Sequence, residues 1–198
     1  MDDHHDLHHP IGLHGTDAPV RDAYSTEAHG TGLRGLDHRI VASLRACGAD
    51  PRVAGAARAL SRAGEHGALW LAAGLAAAAV DRRRRRAWLR GTALTAGAHA
   101  VSMGVKRVVR RPRPPHVEPL VGTVGRHSFP SSHATSAAAA AVAFGALGAH
   151  AAAPLAAAVC LSRLVAGVHY PSDVAAGAAL GALTARLGVR WIKEGAHG

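Results

Sequence analysis

Three groups of polar residues stand at the ends of apolar segments in this chain of 198 residues, and each carries side chains suited to an anion. The first is Lys106-Arg-Val-Val-Arg-Arg-Pro-Arg113-Pro114. Lys106 and Arg113 are about two helical turns apart, so on a continuous helix they share a face, and Pro112 and Pro114 end that helix. Lysine and arginine together suit a phosphate, with the guanidinium gripping two oxygens at once. The second group is Phe129-Pro130-Ser131-Ser132-His133, leading into an apolar helix. Ser131 or Ser132 can cap that helix, whose N-terminus offers free N–H groups to an anion, and His133 begins it with a side chain able to exchange protons. The third is Ser162-Arg163 followed by His169 and Asp173. His169 and Asp173 lie four apart, within reach of each other on or near a helix. A carboxylate there fixes the imidazole tautomer and strengthens the other nitrogen as a nucleophile. Taken singly, each group has an ordinary explanation: a basic helix end beside lipid headgroups, a Pro-Ser cap, or Asp173 as the cap of the last helix. Arg163 has none, because a charge within an otherwise uncharged stretch is costly unless paired or functional.

Together the three groups resemble the type 2 phosphatidic acid phosphatase (PAP2) family, which shares its fold with the vanadium haloperoxidases. The family pattern is K-x6-RP, then PSGH, then SR-x5-H-x3-D. Here it reads Lys106-x6-Arg113-Pro114, Pro130-Ser131-Ser132-His133 and Ser162-Arg163-x5-His169-x3-Asp173. The order and internal spacing agree, with Ser132 in place of the family glycine. The resemblance implies that His169 is the nucleophile and carries a transient phosphohistidine, Asp173 orients it, and His133 protonates the leaving group. It implies that Lys106, Arg113 and Arg163 bind the phosphoryl oxygens, with Ser131 and the backbone of Ser132. Three fixed cations and a helix N-terminus stabilise developing charge without a cofactor. No acidic cluster suited to Mg²⁺ accompanies the motifs, so metal-independent hydrolysis is expected.

The elements that must position these groups are helical. The apolar mass is mostly Ala, Leu and Val with aromatics at only 4%, and no strand pattern competes. Residues 36–63 read as two short amphipathic helices separated at Asp50-Pro51, lying at a membrane surface. Apolar segments follow at 67–80, 88–105, 133–148, 151–168 and 172–191, with residues 134–162 free of Asp, Glu, Lys and Arg. Gly177 and Gly181 give the last helix a small-xxx-small face for close packing. The expected fold is an all-α membrane-embedded bundle of about five helices plus the N-terminal amphipathic pair. A soluble Ala-rich bundle is the competing reading.

Charge divides the chain. The formal net charge is +10, yet residues 1–34 hold six acids and two bases. Residues 1–35 read as a disordered polar tail in which His4, His5, His8 and His9 offer metal donors, and residues 36–194 as the phosphatase domain. The tail lacks the basic and apolar regions of a signal peptide. Cys47 and Cys160 form no CxxC pair, which excludes a disulfide scaffold or cysteine zinc site. The run Arg82–Arg86 has no interleaved aromatics, which argues against nucleic acid and for a cytoplasmic loop. Counting helices from it places the three motifs on the extracytoplasmic face of the cell membrane. Partners are then the membrane and a lipid phosphate: phosphatidate, phosphatidylglycerol phosphate, or a polyprenyl phosphate or diphosphate. The segment Ser61–Trp70 resembles an actinobacterial subgroup linked to decaprenylphosphoryl-phosphoribose dephosphorylation. A vanadate-dependent haloperoxidase and a non-enzymatic basic membrane binder are the alternatives. The first is usually a larger soluble protein, and the second leaves the His–Asp pair unexplained.

Overall fold

The computed structural model describes residues 32–123 and 125–194. Nearly all of the tail, with its four clustered histidines, lies outside them.

Helix α1 (Leu33–Cys47) and helix α2 (Pro51–Ala63) meet at Asp50. The Asp50 carboxylate accepts from the N–H groups of Arg52 at 2.7 Å and Val53 at 3.3 Å, and Pro51 occupies the first helical position, where its missing N–H costs nothing. A tight turn at Glu65–Gly67 leads into α3 (Ala68–Val80). In that turn His66 (φ 52°) and Gly67 (φ 74°) are left-handed, a costly conformation for histidine. Asp81 closes α3 and opens the next turn, accepting from the Arg84 N–H at 3.1 Å and from Trp88 Nε1 at 3.2 Å. Helix α4 (Arg85–Val109), α5 (Ser132–Gly145), α6 (Ala152–Val165) and α7 (Pro171–Glu194) complete the bundle.

Helix α5 is the central element, packed against α4, α6 and α7. Apart from Phe144 its buried residues are small, among them Ala137, Ala139, Ala140 and Ala143, so neighbouring backbones come close. The approach is tightest on α7, as the small-xxx-small spacing anticipates. A Cβ at Gly177 would overlap the carbonyl oxygen of Ser131, and one at Gly181 that of Thr135. This contact joins the second and third motifs: the Ser131 N–H donates to the Asp173 carbonyl at 3.0 Å.

The structure changes two expectations. First, Lys106 and Arg113 do not share one helix. Helix α4 ends at Val109 because Arg110 turns left-handed (φ 51°), ahead of either proline. Arg113 belongs to the connection that follows, held by an isolated bridge between Pro112 and His127. At its other end α4 begins at Arg85, so the arginine run is partly helical. Second, no helix among the described residues is long and apolar enough to cross a membrane. Helices α3, α5 and α6 have 13, 14 and 14 residues. At 1.5 Å per residue they reach about 20 Å, against a hydrocarbon core of about 30 Å. Helices α4 and α7, with 25 and 24 residues, are long enough but carry Arg and Lys.

Candidate active site

One cavity of about 520 Å³ gathers residues from all three motifs: Lys106, Arg113, Ser132, His133, Arg163 and His169 all line it. Lys106 comes from the last turn of α4, Arg163 from the last turn of α6, and Ser132 and His133 from the first turn of α5. Three helix ends and two connections, one carrying Arg113 and the other His169, thus surround a single space.

Its electrostatics are one-sided. Lys106 is 9% exposed and Arg163 4%. Arg163 Nε is buried with no hydrogen-bond partner, and neither residue forms an ion pair among the described residues. Buried polar groups are almost always paired, and a buried charge without a partner is costly. Arg113 is fixed by the carbonyls of Val168 at 2.7 Å and Gly125 at 2.9 Å, with Nη1 3.5 Å from His169 Nε2. The arrangement is built for a ligand bearing two or more negative charges.

His169 lies in the connection between α6 and α7 and is 1% exposed. Its Nε2 faces Arg113, and its Nδ1 lies 3.6 Å from Asp173 Oδ2. That separation is longer than a hydrogen bond, and catalytic contacts commonly tighten only when substrate binds. Burial pushes the His169 imidazole down to about 3, against the opposing pull of Asp173, and Arg113, Arg163 and Lys106 push the same way as burial. It is therefore neutral at neutral pH. A proton on Nδ1, facing the carboxylate, leaves the Nε2 lone pair toward the cavity.

Asp173 stands behind His169 and does not line the cavity. Its Oδ2 accepts from the Tyr170 N–H at 2.9 Å, so it caps α7 as well as facing the imidazole. Ser131 also stands back: its hydroxyl accepts from the Ala134 N–H at 3.4 Å as the cap of α5, and Ser132 takes the place at the cavity wall.

His133 Nε2 is 3.0 Å from the Ser61 carbonyl oxygen. A carbonyl only accepts, so Nε2 carries a hydrogen. The adjacent Cδ2 packs against Gly64, where an added Cβ would come within 2.9 Å. One edge of the ring is thus occupied by the turn after α2, leaving Nδ1 as the nitrogen free for proton transfer.

Sequence reasoning missed four participants: Ser61, Asp37, Arg111 and Ser172. Ser61 acts through its backbone, which no side-chain motif reveals. Arg111 donates to Asp173 Oδ1 and to Asp37 Oδ2, both at 2.8 Å. Its only signal was a place among five basic residues in the first motif. Asp37 is the single acid in α1, and Ser172 adjoins Asp173.

Comparison with known proteins places the chain among its relatives. The PAP2 superfamily profile matches residues 86–195. A decaprenylphosphoryl-5-phosphoribose phosphatase of Mycolicibacterium smegmatis is 48% identical over 147 residues, covering 73% of this chain and 82% of the relative. A protein of the same description from Mycobacterium tuberculosis is 47% identical over 135 residues, covering 67% and 76%. Among solved structures, a transmembrane PAP2 type phosphatidylglycerolphosphate phosphatase from Bacillus subtilis superposes with a TM-score of 0.70 at 22% identity, covering 89% of this chain and 94% of that one. With the three motifs converging on one cation-lined cavity, and with relatives this similar over most of its length, the chain belongs to the PAP2 superfamily.

Proposed function

We propose that this protein is a membrane-resident lipid phosphatase that removes the terminal phosphate of a polyprenyl-linked phosphoribose through a phosphohistidine on His169. The observation that carries the reading is the pair of buried, unpaired cations, Lys106 and Arg163, facing the same cavity as His169 Nε2. A phosphate monoester supplies the missing counter-charge.

In the first step Lys106, Arg113 and Arg163 hold the non-bridging oxygens, with the N-terminus of α5 alongside. The Nε2 lone pair forms the P–N bond as the P–O bond to the leaving alcohol breaks. That oxygen takes the proton from His133 Nδ1, while the Ser61 carbonyl accepts from Nε2–H and holds the ring in place. Asp173 balances the positive charge that develops on His169. In the second step His133 takes a proton from water, the hydroxide attacks phosphorus, and the P–N bond breaks. Inorganic phosphate leaves and the Nε2 lone pair is restored. The fixed cations supply the electrophilic assistance, so turnover needs no metal.

The remaining wall of the cavity supports a sugar-bearing substrate. Ser61, Arg62, Glu65, His66 and His99 also line it, and these groups suit hydroxyls. The names of the mycobacterial relatives agree with that chemistry. Exposed apolar side chains support membrane residence: Leu75 is 53% exposed, Val80 85%, Leu161 51%, Leu183 58% and Leu187 78%. The description of the Bacillus subtilis neighbour as transmembrane points the same way. The arginine run and Lys106 stand toward opposite ends of α4, about 30 Å apart at 1.5 Å per residue. With the arginines on the cytoplasmic side, the cavity opens toward the outer face.

The test is phosphate release by the full chain in detergent from decaprenylphosphoryl-5-phosphoribose, phosphatidate and phosphatidylglycerol phosphate, with and without EDTA. The expected result is preference for the phosphoribose lipid and full activity in EDTA. Absence of phosphate release, or release that requires an added metal ion, overturns the proposal.

A further inference from the structure

We propose that Asp37 and Arg111 are positioning residues for the nucleophile, forming with Asp173 a carboxylate–guanidinium–carboxylate chain that locks the carboxylate behind His169. The inference rests on the phosphatase reading above.

Every oxygen in the chain has a defined task. Asp173 Oδ1 accepts from Arg111 Nη1 at 2.8 Å, while Oδ2 accepts from the Tyr170 N–H and faces His169 Nδ1. With both oxygens assigned, the carboxylate cannot rotate away from the imidazole. Arg111 is held in turn: Nη2 donates to Asp37 Oδ2 at 2.8 Å, Nη1 also donates to the Ser172 hydroxyl at 2.6 Å, and the guanidinium lies 4.1 Å over the Tyr170 ring. Asp37 is tied to the start of α7 through the Ser172 N–H on Oδ1 at 3.0 Å and the Ser172 hydroxyl on Oδ2.

These are not surface ion pairs. Asp37 is 6% exposed and Asp173 fully buried. A lone Arg111–Asp173 pair would neutralise the carboxylate that His169 needs. Asp37 supplies a second negative charge, so the chain presents a net −1 behind the imidazole. The charged and titratable groups facing His169 are then Asp173 from α7, Arg113 from the connection, Arg163 from α6, Lys106 from α4 and His133 from α5. Asp37 lies on α1, outside the matched family region 86–195, so the amphipathic N-terminal helix completes the site.

The charge arithmetic gives a test that a merely structural role would fail. Arg111→Gln leaves two carboxylates behind His169 and raises its proton affinity. Asp37→Asn leaves Arg111 and Asp173 to cancel and does not raise it. We would measure pH profiles of kcat/KM for the full-length protein in detergent, using p-nitrophenyl phosphate as a soluble probe. Both variants are expected to lose about tenfold to hundredfold in kcat, the range for a misplaced reacting group. KM should stay within about twofold of wild type, because Lys106, Arg113 and Arg163 are untouched. The acid limb should move up by about one pH unit in Arg111→Gln and not upward in Asp37→Asn. Ser172→Ala, which deletes one hydroxyl, gives a milder check if the charge variants do not fold. Its kcat should fall at least about fivefold, the equivalent of one hydrogen bond, because the hydroxyl takes part in two, from Arg111 and to Asp37. Wild-type kcat in folded variants, a loss seen only in KM, or an upward shift in both charge variants overturns the assignment. An inactive wild-type protein would instead count against the phosphatase reading itself.

Discussion

Replacing Arg163 by methionine should make the ligand-free protein more stable and abolish its activity. Arg163 is 4% exposed and its Nε has no hydrogen-bond partner. A buried donor without an acceptor costs about 1–3 kcal/mol, and a charged one more. Methionine spans a similar length, has no polar donor and packs readily into irregular space. In a chain of this size, 1 kcal/mol corresponds to about 2–4 °C in Tm, so the variant should melt between about 2 and about 12 °C higher in phosphate-free detergent. The same change removes a clamp on the anion. Vanadate at about a hundred times its Kd adds about 2.7 kcal/mol to the wild type, or about 5–11 °C, and that increment should vanish in the variant. Thermal unfolding followed by circular dichroism, with and without vanadate, reads both effects. A variant that melts lower than wild type yet keeps its vanadate shift would refute the reasoning, because Arg163 would then be a structural cation.

Other consequences concern protons and packing. His133→Ala should lose far more activity on a lipid monoester, whose alkoxide needs a proton, than on p-nitrophenyl phosphate; general-acid help amounts to roughly 10²–10⁴-fold, and equal losses would remove His133 from that role. Burial holds His169 down to about 3, whereas an unfolded histidine titrates near 6.5, so only the unfolded state gains this proton between those values. Stability should therefore be complete above pH ~6.5 and decline as pH falls toward 3, by at most about 1.4 kcal/mol per pH unit from this group, and His169→Gln should flatten the decline in thermal melts. Gly181→Ala places a methyl against the Thr135 carbonyl, where only backbone movement gives room. It should cost about 1–3 kcal/mol and lower activity by parting α5 from α7, and an unchanged Tm would contradict the close approach.

What the sequence made legible was chemistry that acts locally or through a fixed spacing. Asp50-Pro51 breaks α1 from α2 because a carboxylate cap and a proline at the first helical position both work within one turn. Gly177 and Gly181 announced the tight α5–α7 contact because their spacing follows the helix period. Lys106, Arg113, Ser132, His133, Arg163 and His169 line one cavity although they come from three separate stretches of chain. Partnerships over long separations were not legible. Asp37 and Arg111 are 74 residues apart, and in a chain this rich in arginine no single guanidinium stands out. The Ser61 contact with His133 uses a carbonyl that every residue possesses. The end of α4 at Val109 depends on a left-handed arginine rather than on either proline, and nothing in the side chain of Arg110 announces it. Apolar runs suggested membrane spans, but three of the folded helices carrying them, α3, α5 and α6, are about 20 Å long, which only the placed helix ends reveal.

The most direct measurement is to trap the covalent intermediate. The full-length protein would be mixed with radiolabelled substrate, quenched in alkali within the first turnover and mapped by mass spectrometry. The expected product is one alkali-stable, acid-labile phosphate on His169, absent from His169→Ala and still formed, more slowly, in His133→Ala on a substrate with a good leaving group. Phosphate on any other residue, or turnover in His169→Ala at the wild-type rate, would contradict the nucleophile assignment.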